Sequence, residues 1–255
     1  ISQPEGVTRP YKIVSAKVFH DVLGFIQYRN LCRDDPPDVT VLLMDPCVVP
    51  AFLARKTVGK VVAYMPVDAK NVKESPQLNQ GLDMAWTMSE FGRTELQAGY
   101  HGPTRVLPHG VDLSIYQPKP KEEARHMLGL LTDAFVFGAV NRNQPRKRLD
   151  LALLAFQQFL QRNPHSTAVL YLHCCPVDVG WDLPQLADYL GIASRVFFPQ
   201  HLPTIEMPPA ENTMPWVYSA FDVHMTTSQG EGFSLPVLES MACGVPNLVP
   251  SFAAL

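Results

Sequence analysis

Strand-length apolar runs alternate with helical patterns along most of the chain, and that alternation constrains the fold more than any other feature. Strand, helix and strand in succession close as a parallel sheet with helices on its faces. YKIVSAKVF, DVTVLLM, KVVAYMPV and TRVLPHGV read as strands, with PCVVPAFLARKTV and SEFGRTELQAG as helices among them. The alternation breaks at DLSIYQPKPKEEARHMLGL, where prolines and charges interrupt it. It restarts with AFVFGAV as a strand, RLDLALLAFQQFLQRN as a helix and TAVLYLHCC as a strand. LPQLADYLGI, MPWVYSAF and SLPVLESMAC then read as helices, separated by the strands RVFFPQ and DVHMTTS. Two α/β domains are expected, 1–115 and 116–255, joined near 113–130.

Composition excludes several classes. The 255 residues are 46% apolar, enough for a sizeable core and too much for disorder. Lysine and arginine number 21 against 24 acidic residues, so binding nucleic acid by bulk charge is excluded and no nucleic-acid partner is expected. The 24 prolines imply stiff loops, which suits a site built from loops on a rigid scaffold. No run approaches the ~18 apolar residues of a membrane helix. ISQPEGVTRPYKIV lacks the layout of a signal peptide, and Ile1 in first place implies a start inside a longer protein. Five cysteines without zinc spacing fit buried thiols in a reducing, cytoplasmic setting.

The most regular helix carries Leu149, Ala152, Leu153, Phe156, Phe159 and Leu160 on one stripe, a core face that Asn163-Pro164 ends. The residues before it are unusual. A helix is expected to begin near Arg146, and Arg146, Lys147 and Arg148 crowd its N-terminus. Cations there cost roughly 0.3–1 kcal/mol each against the helix dipole. A docked anion would reverse that sign, and Arg142 could close on the same anion. The other reading is a solvated basic turn.

A second constellation follows the strand DVHMTTS: Gly230-Glu231-Gly232-Phe233-Ser234-Leu235-Pro236 leads into a helix that Gly244 and Pro246 end. Gly230 and Gly232 are expected to supply the turn, Ser234 the N-cap and Pro236 a place in the first turn. Glu231 and Glu239 then flank the amides of Gly232, Phe233, Ser234 and Leu235. Amides so arranged suit phosphate, and carboxylates on either side suit hydroxyls, as on a ribose and a hexose. The plainer reading makes Glu231 a cap of its own turn and Glu239 a surface residue.

SQGEGFSLPVLESMACGVP resembles the signature of retaining nucleotide-sugar glycosyltransferases of the GT-B type, family 4, whose paired glutamates match Glu231 and Glu239. NRNQPRKRLDLALLAF resembles the family's arginine–four residues–lysine element at Arg142 and Lys147. SEFGRTEL and RVLPHGVDLSIYQP resemble two further segments, so four motifs stand in order over residues 86–250. The resemblance implies two Rossmann-like parallel-sheet domains facing a cleft. It implies that Arg142 and Lys147 hold the donor diphosphate in place of a metal ion. It assigns the transferred sugar to Glu231, the ribose to Glu239, and the surroundings of sugar and phosphate to the amides of Gly232 to Leu235. His201 and Leu202 would pack on the base, mainly through backbone. Arg142, Lys147 and Glu231 are thus the catalytic candidates. The implied reaction moves a hexose from a GDP- or UDP-sugar to a glycan, polysaccharide or lipid-linked acceptor. It retains the anomeric configuration, with no metal, no further cofactor and no protein nucleophile.

Departures from the family pattern set further expectations. The family often carries a histidine facing the sugar; the comparable loop here, AYMPVDAKN, has Asp68 instead, a candidate for that role or simply a loop residue. His109 could line the cleft. His173 reads as a satisfied core histidine and Cys174-Cys175 as core packing. No glycine-rich loop precedes YKIVSAKV, and the chain stops one strand beyond Glu239. Both domains are therefore expected to be incomplete, with the donor half nearly whole and peripheral membrane association left to the missing segments. Other readings are a sugar-nucleotide epimerase or phosphorylase on the same scaffold, or a non-catalytic partner that binds sugar nucleotides.

Overall fold

The computed structural model describes residues 21–55, 59–200 and 210–255. The expected strand YKIVSAKVF and the candidates His201 and Leu202 lie outside the described residues. The chain packs as two units, Ile1–Pro108 and His109–Leu255. The division falls ahead of the expected 115/116 because Val111, Ile115 and Tyr116 already pack on the core of the second unit.

The first unit runs α1 (Phe25–Asp34), β1 (Val39–Leu43), α2 (Val49–Leu53), β2 (Lys60–Met65), α3 (Ser75–Leu78), β3 (Met84–Thr87), α4 (Glu90–Gln97) and β4 (Thr104–Val106). The strands form a parallel sheet in the order β1-β2-β3-β4. Alternate residues of β2 (Val61, Ala63 and Met65) face a core shared with Phe52, Leu78, Leu96 and Tyr100, as the period of a strand requires. Ser89 caps α4 by accepting from the Gly92 amide at 3.1 Å. The sequence reading missed α1 and β3. The short run MAWT lies between turn residues too closely spaced to show a period.

The second unit runs α5 (Lys121–Met127), β5 (Val136–Val140), α6 (Leu149–Arg162), β6 (Val169–His173), α7 (Leu183–Tyr189), β7 (Val196–Phe197), α8 (Met214–Ser219), β8 (Val223–Met225), α9 (Leu235–Ala242) and β9 (Asn247–Leu248). Its five-stranded sheet is parallel throughout, in the order β7-β6-β5-β8-β9. Both faces are covered. Leu170 and Leu172 of β6 point toward Leu149, Leu153, Phe156 and Leu183, while Val169 and Tyr171 point toward Val217, Tyr218 and Phe221. From β5 the chain winds outward through β6 to β7, then returns to place β8 on the other side of β5. The winding reverses between β5 and β8. In open α/β sheets the carboxyl ends of the strands at such a reversal form the ligand crevice.

Several expectations need correction. Helix α6 starts at Leu149 rather than near Arg146; Pro145–Lys147 is a 3-10 turn, and Arg148 has a φ of 50°, which an α-helix cannot propagate. The stripe on α6 is core as expected, with Leu149, Ala152, Leu153 and Phe156 buried and Phe159 and Leu160 packed beside them. The charged break contains α5, whose Arg125 is buried and donates to Asp222, to the Ala220 carbonyl and to the Thr132 carbonyl. Of the five thiols, Cys47 is exposed rather than buried. Among the described residues no helix is long and apolar enough to cross a membrane.

Candidate functional site

The turn after β5 and the loop after β8 meet at the reversal of the second sheet. Thr227 Oγ1 donates to the Arg148 carbonyl at 2.7 Å and to that of Lys147 at 3.1 Å. The Gln229 amide donates to the Arg146 carbonyl at 2.8 Å. Ser228 Oγ donates to the Gly230 carbonyl at 3.0 Å. The Thr227 and Gln229 bonds join two segments about eighty residues apart into one surface, and the Ser228 bond braces the loop itself.

Across that surface the Lys147 ammonium pairs with the Glu231 carboxylate. Lys147 is 8% exposed and Glu231 5%, so the charges sit in a poorly screened environment. Arg146 adds a second cation, donating to the Gly230 carbonyl at 2.7 Å and lying 3.5 Å from Glu231 Oε2. Glu231 therefore serves neither as a cap of its own turn nor as a solvated loop residue.

Arg142 takes a different acid. Its Nε donates to Asp178 Oδ2 at 2.8 Å and its Nη2 to Oδ1 at 3.3 Å, which lowers the Asp178 pKa. Arg142 and Lys147 are thus held by separate carboxylates. Arg148 pairs with Asp150 in the first turn of α6, which offsets its charge at the helix N-terminus. Asn143, missed by the sequence reading, is 1% exposed and clips the loop after β6 to this turn. Its amide donates to the Pro176 and Trp181 carbonyls at 3.0 and 2.7 Å and accepts from the Trp181 amide at 3.1 Å. Only Gly180 fits against it, since a Cβ there would lie 2.2 Å from Asn143 Oδ1.

In the loop after β8, the positive φ falls on Ser234, at 68°, and not on Gly230 or Gly232. Ser234 occupies the N-cap position of α9 but makes no side-chain cap bond, against expectation. Its left-handed backbone turns the chain into the helix, with Pro236 in the first turn. Among the described residues none accepts a backbone hydrogen bond from the amides of Gly232, Phe233, Ser234 or Leu235. Gly244, at φ 76°, ends α9, and the Val245 amide donates to Ser240. Glu239 lies one turn into α9 and accepts from the Tyr218 hydroxyl at 2.5 Å, so it too is an engaged carboxylate.

The remaining candidates lie elsewhere. His109 packs edge-on against Phe233, ring centroids 5.4 Å apart, beside the same loop. Asp68 lines a cavity of about 290 Å³ in the first unit with Asp45, Cys47, Lys70 and Glu74. His173 stacks on Tyr171 at the end of β6, half-buried, and it is not satisfied. Both ring nitrogens are shut from water and meet no partner among the described residues, and burial lowers its pKa to about 4.

Residues 134–254 match the family model described as Glycosyl transferases group 1. Among curated proteins the chain is similar to the D-inositol 3-phosphate glycosyltransferase of Actinosynnema mirum, 35% identical over 168 residues, covering 64% of this chain and 39% of that one. The same enzyme of Thermobispora bispora is 35% identical over 170 residues, covering 63% and 38%. The chain spans about two fifths of the length of these relatives. Among solved structures, sucrose-phosphate synthase from Thermosynechococcus elongatus matches with a TM-score of 0.71 at 20% identity, over 96% of this chain and 64% of its own. Anabaena HepE in complex with UDP-glucose matches with a TM-score of 0.70 at 20% identity, over 90% and 64%. The fold is that of GT-B glycosyltransferases. The stretch matched by the family model lies within the second unit and contains Arg142, Lys147, Glu231 and Glu239.

Proposed function

We propose that the chain carries the donor site of a retaining glycosyltransferase that moves a hexose from a nucleoside diphosphate sugar to a hydroxyl of a glycan, polysaccharide or lipid-linked acceptor, without a metal ion. The observation that carries this reading is the Lys147–Glu231 pair, which joins the basic turn and the acidic loop at the reversal of the sheet. Breaking a sugar–phosphate bond builds negative charge on the departing diphosphate. Fixed cations and amide dipoles aimed at that charge lower the barrier. Lys147, Arg146 and Arg142 supply the cations, and the amides of Gly232 to Leu235 supply the dipoles. Before donor arrives, Lys147 and Glu231 neutralise each other. With donor present, the ammonium gains a phosphate oxygen and the carboxylate gains sugar hydroxyls, so neither buried charge is stranded. Glu239 accepts from the ribose hydroxyls. The acceptor hydroxyl attacks from the leaving-group face, and the departing phosphate takes its proton.

D-inositol 3-phosphate, after which the relatives' activity is named, and the UDP-glucose bound to the Anabaena neighbour are the first compounds to test. The 255-residue chain in EDTA is expected to gain thermal stability with a UDP- or GDP-sugar and with the matching nucleoside diphosphate. A strict requirement for Mn²⁺ or Mg²⁺ overturns metal independence. The anomeric configuration of the product, read by proton NMR, is expected to match that of the donor; inversion overturns retention.

A further inference from the structure

Glu239 is held by Tyr218, with Tyr116 beside it, and no motif of the chain singles out either tyrosine. Tyr218 of α8 is fully buried, and its hydroxyl donates to Glu239 Oε2 at 2.5 Å. Tyr116, near the start of the second unit, packs beside Tyr218, and the Glu239 charge acts on its phenol as well. The two rings lie 6.4 Å apart, tilted at 53°. Both sit in the core layer with Phe221 and Tyr171, so neither ring can swing away without disturbing that layer. Burial first, and the charge of Glu239 second, raise both phenol pKa values, which keeps both protons available as donors. A carboxylate offers about four acceptor positions, and a fixed hydroxyl on one of them leaves the others free at a set orientation.

We propose that Tyr218 and Tyr116 are positioning residues that hold the Glu239 carboxylate in a single orientation, and that this orientation selects ribonucleotide donors over those lacking ribose hydroxyls. The inference rests on the reading of Glu239 as the ribose acceptor. Without the hydroxyl clamp, the carboxylate samples several rotamers and must be ordered by the ligand, which lowers affinity for ribose alone. The diphosphate contacts, made by other residues, are unaffected.

The test is calorimetric titration of the full chain with UDP and GDP and with their 2′,3′-dideoxy counterparts, using the pair that binds tighter. Wild type is expected to favour the ribose form by about tenfold or more, the worth of a hydrogen bond to a charged group. Tyr218→Phe and Tyr116→Phe, each lacking one oxygen, are expected to weaken ribonucleotide binding several-fold and leave dideoxynucleotide binding unchanged, so the ratio shrinks. Tyr100→Phe is the control, because it deletes a buried hydroxyl that donates to the Leu82 carbonyl in the first unit. It is expected to leave the ratio at the wild-type value. An undiminished ratio in both Tyr218→Phe and Tyr116→Phe overturns the proposal. Wild type that does not distinguish the two nucleotides, or binds neither, overturns instead the assignment of Glu239 or of the donor site.

Discussion

Lys147 and Glu231 share one buried ion pair, but removing each has a different consequence. Taking one partner from a buried pair costs on the order of 3–5 kcal/mol, because the other charge stays desolvated. Lys147→Ala leaves Glu231 with Arg146 at 3.5 Å, whereas Glu231→Ala removes the acid that faces both cations. Urea unfolding at pH 7 is therefore expected to show the larger loss for Glu231→Ala. The double variant should lose less than the sum of the two, by about 1 kcal/mol or more. Additive losses would show that the pair is not coupled. His173 supplies a pH signature. Its folded pKa of about 4 lies below the ordinary histidine value of 6.5, so the unfolded chain binds its proton first as pH falls. Stability is full above pH 6.5 and declines toward pH 4, by about 3 kcal/mol at most for this one group. His173→Leu is expected to flatten that decline when unfolding midpoints are compared at pH 7 and pH 5. Some slope should remain, because burial lowers the pKa of His224 as well. An unchanged slope would mean that His173 titrates normally.

At the scale of elements, the loop into α9 stores strain at one residue. Ser234 holds a left-handed backbone without the cap bond that would compensate for it. A non-glycine residue there costs roughly 1–2 kcal/mol. Ser234→Gly is expected to raise the melting temperature and stability by about 1 kcal/mol, while Ser234→Ala brings no such gain. Equal effects from the two would place the strain elsewhere. The helix itself was legible from Pro236 and Gly244, whose roles depend on chain-local geometry. The identity of the strained residue was not, since two glycines in the same loop were the better candidates by residue type. Helix α5 was illegible for a related reason. KEEARHM stood only as part of a charged break, yet its Arg125 is buried, bonded to Asp222, to the distant Ala220 carbonyl and to the nearby Thr132 carbonyl.

At the scale of the whole molecule, each unit has its own sheet and its own core. Every residue of the proposed donor contacts among the described residues lies in His109–Leu255. A fragment of residues 109–255 is expected to fold alone and to bind the nucleoside diphosphate within about threefold of the full chain's affinity, read by calorimetry. A fragment that folds but has lost binding more than tenfold would show that the first unit contributes to the nucleotide site.

The residues alone determined the class of fold, because burial on a sheet or helix face repeats along the chain with periods of about 2 and 3.6. They also marked Arg142, Lys147, Glu231 and Glu239 as chemically unusual, by charge at a helix start and by carboxylates around a run of amides. Only the tertiary structure decided who faces whom. Sheet order is set by packing between strands, and nothing in the spacing of β5 and β8 along the chain says that they are neighbours. That adjacency brings Lys147 to Glu231 across 84 residues, while Arg142 is taken by Asp178 and Glu239 by Tyr218. A charge's partner depends on which surfaces are buried together, a long-range outcome that no local pattern encodes.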